Sequence, residues 1–180
     1  MKLRAAFLLL ITAVLFPAVG QTIISVEAYP HAYLSFDETY DPEPLRLQYG
    51  TSGSFNVYQQ IYGPLFLTAG AGIETTLPSK PYGSELQKAF TSLRGSAGIR
   101  VSNELFGMSV KAHGLFSTYT GTYVKFAHLG FSLEPYVTII TDPLYLSLLG
   151  VIGHDWRKDI DQNLYTGIGI SAAIPLRGRP

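Results

Sequence analysis

Residues 23–36 read IISVEAYPHAYLSF, and the assignment of their two faces decides the fold. Ile24, Val26, Ala28, Pro30, Ala32, Leu34 and Phe36 are apolar, and Ser25, Glu27, Tyr29, His31, Tyr33 and Ser35 interleave with them. A strict period of two over this length is that of a β-strand with unlike faces. What remains is whether the apolar face, or the face that carries Glu27, meets the interior.

The same alternation recurs along the chain. Strands are expected near 23–36, 45–57, 65–77, 88–101, 105–117, 123–140, 144–153 and 164–176. Between them lie DETYDPEP, YQQIYGP, PSKPYGSELQ, SNE, TYTGT, TDP and GHDWRKDIDQN, rich in Pro, Gly, Asp, Ser and Asn. Segment 144–153 has almost no polar phase. No helical period separates the segments, so the chain reads as an all-β antiparallel meander in one domain.

Comparing faces strand by strand gives one answer. In 65–77, Leu65, Leu67, Ala69, Ala71 and Ile73 oppose Thr68, Gly70, Gly72 and Glu74. In 88–101, Ala89, Leu93, Ala97 and Ile99 oppose Ser92, Arg94, Ser96, Gly98 and Arg100. In 105–117, Phe106, Met108, Val110 and Ala112 oppose Gly107, Ser109, Lys111 and His113, and Arg46 and Glu134 fall on the polar side of their own strands. Charge therefore shares a face with small residues, which suits a cramped interior. A soluble barrel has the reverse arrangement, and eight apolar faces turned to water would exceed what a monomer tolerates. In a bilayer that apolar belt is required, and a closed barrel satisfies the backbone there. Glu27 points inward.

The inward ionisable set is Glu27, Arg46, Glu74, Arg94, Arg100, Lys111 and Glu134. An eight-stranded barrel has an interior just wide enough to be filled by side chains. Unpaired charges there are costly, so near-balanced signs point to a paired network that plugs the lumen. The alternative is a narrow, ion-selective channel lined by the same groups.

The first twenty residues carry Lys2 and Arg4, the apolar run AAFLLLITAVLF, and small residues Ala18 and Gly20. This is the pattern of a cleaved export signal. Removal of residues 1–20 leaves 11 basic and 13 acidic side chains on residues 21–180. There is no cysteine for a disulfide or lipid anchor, no basic stripe for nucleic acid, and no later run long enough for a membrane-spanning helix.

With these features the chain resembles the small eight-stranded outer-membrane β-barrels represented by the OmpA transmembrane domain, OmpX and OmpW. The charged interior is closer to the closed OmpA and OmpX type than to the hydrophobic lumen associated with OmpW. The resemblance implies a monomer in the bacterial outer membrane, with outer-membrane lipid and the barrel-assembly machinery as partners. It implies a structural or surface-interaction role, such as envelope integrity or adhesion to an external ligand or host surface. Two features depart from it. The chain ends AAIPLRGRP rather than in an aromatic residue, and Pro30 interrupts strand one, where a bulge or a weakly paired spot beside the last strand is expected.

Candidate contacts lie in the outward loops. Asp37, Glu38, Asp41 and Glu43 cluster in the first, where carboxylates suit a divalent cation, though the spacing is not that of a calcium loop and no metal is assigned. His154, Asp155 and Trp156 are placed in the last, as external contacts or as part of an interfacial aromatic girdle. His31, His113 and His128 fall on the inward face and share no metal-ligand spacing. Lipid A-modifying barrels need a serine beside a histidine facing lipid. His113 and Ser117 are about 13 Å apart along a strand and point inward, so no enzyme activity and no cofactor are assigned.

Overall fold

The computed structural model describes residues 20–36, 46–76, 90–103, 105–119, 122–157 and 160–176. The expected export signal therefore lies outside the described residues. Eight strands follow one another: β1 (Thr22–Phe36), β2 (Arg46–Tyr62), β3 (Leu65–Thr76), β4 (Phe90–Ser102), β5 (Phe106–Tyr119), β6 (Thr122–Ile140), β7 (Tyr145–Arg157) and β8 (Ile160–Pro175). Each pairs antiparallel with the next, and β8 pairs back onto β1, closing an up-and-down barrel. Closure leaves no free sheet edge, so the backbone is satisfied even where water is absent.

The period of two sorts the side chains as the sequence implies. Val26, Phe55, Ile73, Leu93, Ile99, Val110, Leu133, Ile152 and Ile168 are exposed on the outer wall. Glu27, Ser52, Asn56, Glu74, Ser92, Arg94, Ser109, Lys111, Ser132 and Glu134 are buried inside. An inside-out distribution of this kind is stable in hydrocarbon, where the exposed wall needs no water.

Strand lengths differ from expectation at two places. β2 runs on to Tyr62 and turns at Gly63, whose φ of 49° is the left-handed conformation that favours glycine. The polar run read as a break continues the ladder, because Thr22 Oγ1 donates to Gln59 Oε1 at 2.7 Å and the Gln21 N–H donates to Gln60 Oε1 at 2.9 Å. At the other end β7 extends to Arg157 and β8 starts at Ile160, so His154, Asp155 and Trp156 are strand residues, not loop residues. Near a barrel rim the outer face meets headgroups and water, so polar residues there extend a strand as readily as they form a turn.

β7, the segment with little polar phase, turns Leu149 and Val151 inward, where they pack with Tyr29, Tyr33, Tyr136 and Tyr165. Pro30 produces the weakly paired spot and not the bulge. Pairing of β1 with β8 lapses at Tyr29 and Pro30, then resumes at His31↔Gly167 in unchanged register.

Interior crowding makes some glycines indispensable. A Cβ at Gly98 would stand 2.8 Å from Lys111 Cα and nearer still to the Val110 carbonyl. Gly95, one strand position class away, faces outward, and a Cβ there would meet nothing within 4 Å. Gly98→Ala is expected to destabilise the refolded barrel by about 1–3 kcal/mol in urea unfolding. Gly95→Ala in the same assay should stay within about 0.5 kcal/mol of the parent.

Candidate functional site

Among the described residues, most of the buried ionisable groups fall in two connected clusters stacked along the barrel axis. The lower one, towards the short β2–β3 turn, is centred on Lys111 of β5. Its Nζ lies 2.6 Å from Glu134 Oε2 on β6, 3.0 Å from Glu27 Oε2 on β1 and 3.4 Å from Asn56 Oδ1 on β2. Glu27 Oε1 also accepts from the Tyr58 hydroxyl and, at 3.2 Å, from Ser25 Oγ. Arg100 of β4 donates through Nε to Tyr136 Oη at 2.9 Å. Its guanidinium lies 3.8 Å from the centre of the Tyr136 ring and 4.4 Å from that of Tyr58, a desolvated cation held between two aromatic faces. Two bases and two acids thus share this cluster, with Lys111 alone in contact with both acids.

The upper cluster is built around Arg94 of β4. Nη1 donates to Tyr29 Oη at 2.7 Å, and Nη2 donates to Tyr165 Oη at 2.8 Å and to His113 Nδ1 at 2.9 Å. Arginine can only donate, so His113 Nδ1 must accept. The ring is then the neutral tautomer, and its Nε2–H donates to Asp155 Oδ1 at 2.6 Å. Tyr33 Oη lies 3.1 Å from Asp155 Oδ2 and also bonds Glu74 Oε1. Glu74 Oε2 lies 3.7 Å from Arg94 Nη1, and His31 Nε2 lies 3.9 Å from Glu74 Oε1.

Ser132 joins the clusters. Its Oγ is 3.5 Å from Arg94 Nη2 and donates to Glu134 Oε1 at 2.8 Å. A continuous polar chain therefore runs down the lumen from Asp155 through His113, Arg94, Ser132, Glu134 and Lys111 to Glu27. The void beside it, lined by Tyr29, Ser52, Asn56, Arg94, Lys111 and Glu134, measures about 10 Å³. That is room for about one water.

Of the seven charges expected inside, Glu27, Glu74, Arg94, Arg100, Lys111 and Glu134 are buried and enter these clusters. Arg46 opens β2, but its side chain lies outside the described residues, as does that of His128. Asp37, Glu38, Asp41 and Glu43 also lie outside them. Asp155 is corrected: it is a fully buried lumen residue on β7, not a loop contact, because the alternation through Gly153 carries on past the expected turn. His154 and Trp156 flank it on the outer face, where both rings contact Phe131. The tyrosines Tyr29, Tyr33, Tyr58, Tyr136 and Tyr165 were not among the expected site residues. Their signal was present, since Tyr29 and Tyr33 share the polar phase of Glu27 and His31.

No protein-family model and no curated protein sequence matches the chain. Solved structures do. The crystal structure of Neisserial surface protein A (NspA) is similar with a TM-score of 0.57 at 10% identity, over 85% of this chain and 96% of that one. Ail, the attachment invasion locus protein of Yersinia pestis, is similar with a TM-score of 0.51 at 9% identity, over 86% of this chain and 99% of that one. Ail in complex with the heparin analogue sucrose octasulfate is similar with a TM-score of 0.50 at 9% identity, over the same shares. With the closed topology and the apolar outer wall, this likeness makes the fold that of the small eight-stranded outer-membrane β-barrels.

Proposed function

We propose that residues 21–180, freed of an export signal at 1–20, span the bacterial outer membrane as a closed scaffold that holds contact loops at the cell surface. The observation that carries this reading is the continuous polar chain along the lumen, beside a void of about 10 Å³. A barrel plugged in this way offers its rims, not its bore, for interaction. The similar folds named as a surface protein and as an attachment invasion locus protein, the latter also crystallised with a heparin analogue, agree with a role in contact with external ligands. The acidic residues Asp37, Glu38, Asp41 and Glu43 are the proposed contact set on the first loop. A non-enzymatic role is supported by His113, which commits both ring nitrogens to Arg94 and Asp155.

The test is single-channel recording of refolded residues 21–180 in a planar bilayer, with insertion checked by the heat-dependent gel shift. The expected record is silent. Steady discrete openings would overturn the plug and make the lumen charges the lining of an ion-selective pore.

A further inference from the structure

Two prolines stand at one level of the barrel on either side of the β7–β8 hairpin. Between β6 and β7, pairing runs to Leu133↔Ile152, lapses at Glu134 and Pro135, and resumes at Tyr136↔Leu149 in the same register. That register sets Pro135 opposite Gly150. Gly150 pairs with Ile168 across the hairpin. Between β8 and β1, the register from Ala28↔Ile170 to His31↔Gly167 sets Ile168 opposite Pro30, where pairing lapses again. Pro135, Gly150, Ile168 and Pro30 thus form one row across four strands.

A proline has no N–H, so it cannot donate to a neighbouring strand. Both prolines stay paired on the side away from the hairpin, Pro30 with Thr51 and Pro135 with Met108. Both lapses therefore fall on edges of β7–β8, while the ladder within the hairpin runs unbroken from Tyr145↔Ala173 to Asp155↔Asn163. On the outer wall a groove of about 490 Å³ lies at the β1 side, lined by Ala28, Pro30, Leu148, Ile168 and Ile170. Inside the lumen, Asp155 of β7 is held by His113 of β5 and Tyr33 of β1, and Tyr165 of β8 by Arg94 of β4.

We propose that the β7–β8 hairpin is a hinged panel, moving as a two-strand unit about the row Pro135–Gly150–Ile168–Pro30, with the Asp155–His113 contact as its latch. Internal pairing keeps the hairpin whole, and the two lapses let its edges part from β6 and β1. Swinging outward, it withdraws Asp155 and Tyr165 from the upper cluster and uncovers that half of the lumen.

Site-resolved amide exchange by NMR, on residues 21–180 in lipid nanodiscs, tests this. Amides bonded across the β6–β7 and β8–β1 edges should exchange at least about tenfold faster than those of the β3–β4 ladder, with the amides inside β7–β8 protected like β3–β4. The pair Pro30→Ala and Pro135→Ala, which restores both donors, should slow the edge amides by about tenfold. Asp155→Asn should speed them while leaving β3–β4 unchanged. Equal exchange in all ladders of the parent chain overturns the panel. So does fast exchange within the hairpin, which would be fraying, or edge exchange that ignores both proline replacements. Acceleration by Asp155→Asn spread evenly over every strand removes the latch.

Discussion

Lys111→Met is expected to lower the stability of the refolded barrel by about 3–5 kcal/mol, the range for removing one partner of a buried charge cluster. Lys111 is buried between Glu134 Oε2 and Glu27 Oε2, at 2.6 and 3.0 Å. Methionine fills much of the same space, so lost packing contributes little. What remains is two carboxylates facing one site with no cation between them, far from water. Adding Glu134→Gln to Lys111→Met should recover most of the loss, since the cluster then keeps one acid, Glu27, and one base, Arg100, and its charges balance again. Urea titrations of the four combinations, followed by the heat-dependent gel shift, decide the matter. If the double variant is as unstable as Lys111→Met alone, lost packing and not uncompensated charge is the cause.

Arg94→Ala should turn a silent barrel into a conducting one. The Arg94 guanidinium fills the mid-lumen and bonds Tyr29, Tyr165, His113 and Ser132. Alanine removes both the volume and the donors, and leaves Glu74 and Asp155 as the charges of the upper cluster among the described residues. Water enters where polar groups lose partners, and the opened path should favour cations over anions. Arg94→Lys should leave the path partly open, because an ammonium restores the charge but not the fork that reaches four strands at once. Bilayer recordings of the three proteins give the order. Silence from Arg94→Ala in confirmed insertions would assign the seal to the tyrosines instead.

The inward position of Glu27, Glu74, Arg94, Arg100, Lys111 and Glu134 was legible because a period of two leaves one choice per strand, and the small residues beside these charges settle it. Their partners were not legible. Lys111 meets Glu27 across the lumen from a strand 84 residues away in sequence, and such pairings depend on closure and register, which no single segment encodes. The ends of strands were legible where turn chemistry is strong, as at Thr141-Asp142-Pro143, before which β6 stops at Ile140. Asp155 reads as a loop residue because a polar run at a rim has the composition of a turn, although the alternation continues through Gly153 and Asp155. The proline row was beyond reach for the same reason as the pairings. Pro30 alone marks a weak point, but its alignment with Pro135 exists only once three ladders are in register.

One side chain of the outer wall carries a practical consequence. Trp156 is the chain's single tryptophan, lies close to the end of β7, and is 57% exposed on the face opposite Asp155. Its indole emission is therefore free of overlapping signals from other tryptophans and responds to the polarity of the lipid boundary around it. The protein carries its own optical depth gauge, which distinguishes a barrel seated across the bilayer from one merely adsorbed to it without any added label.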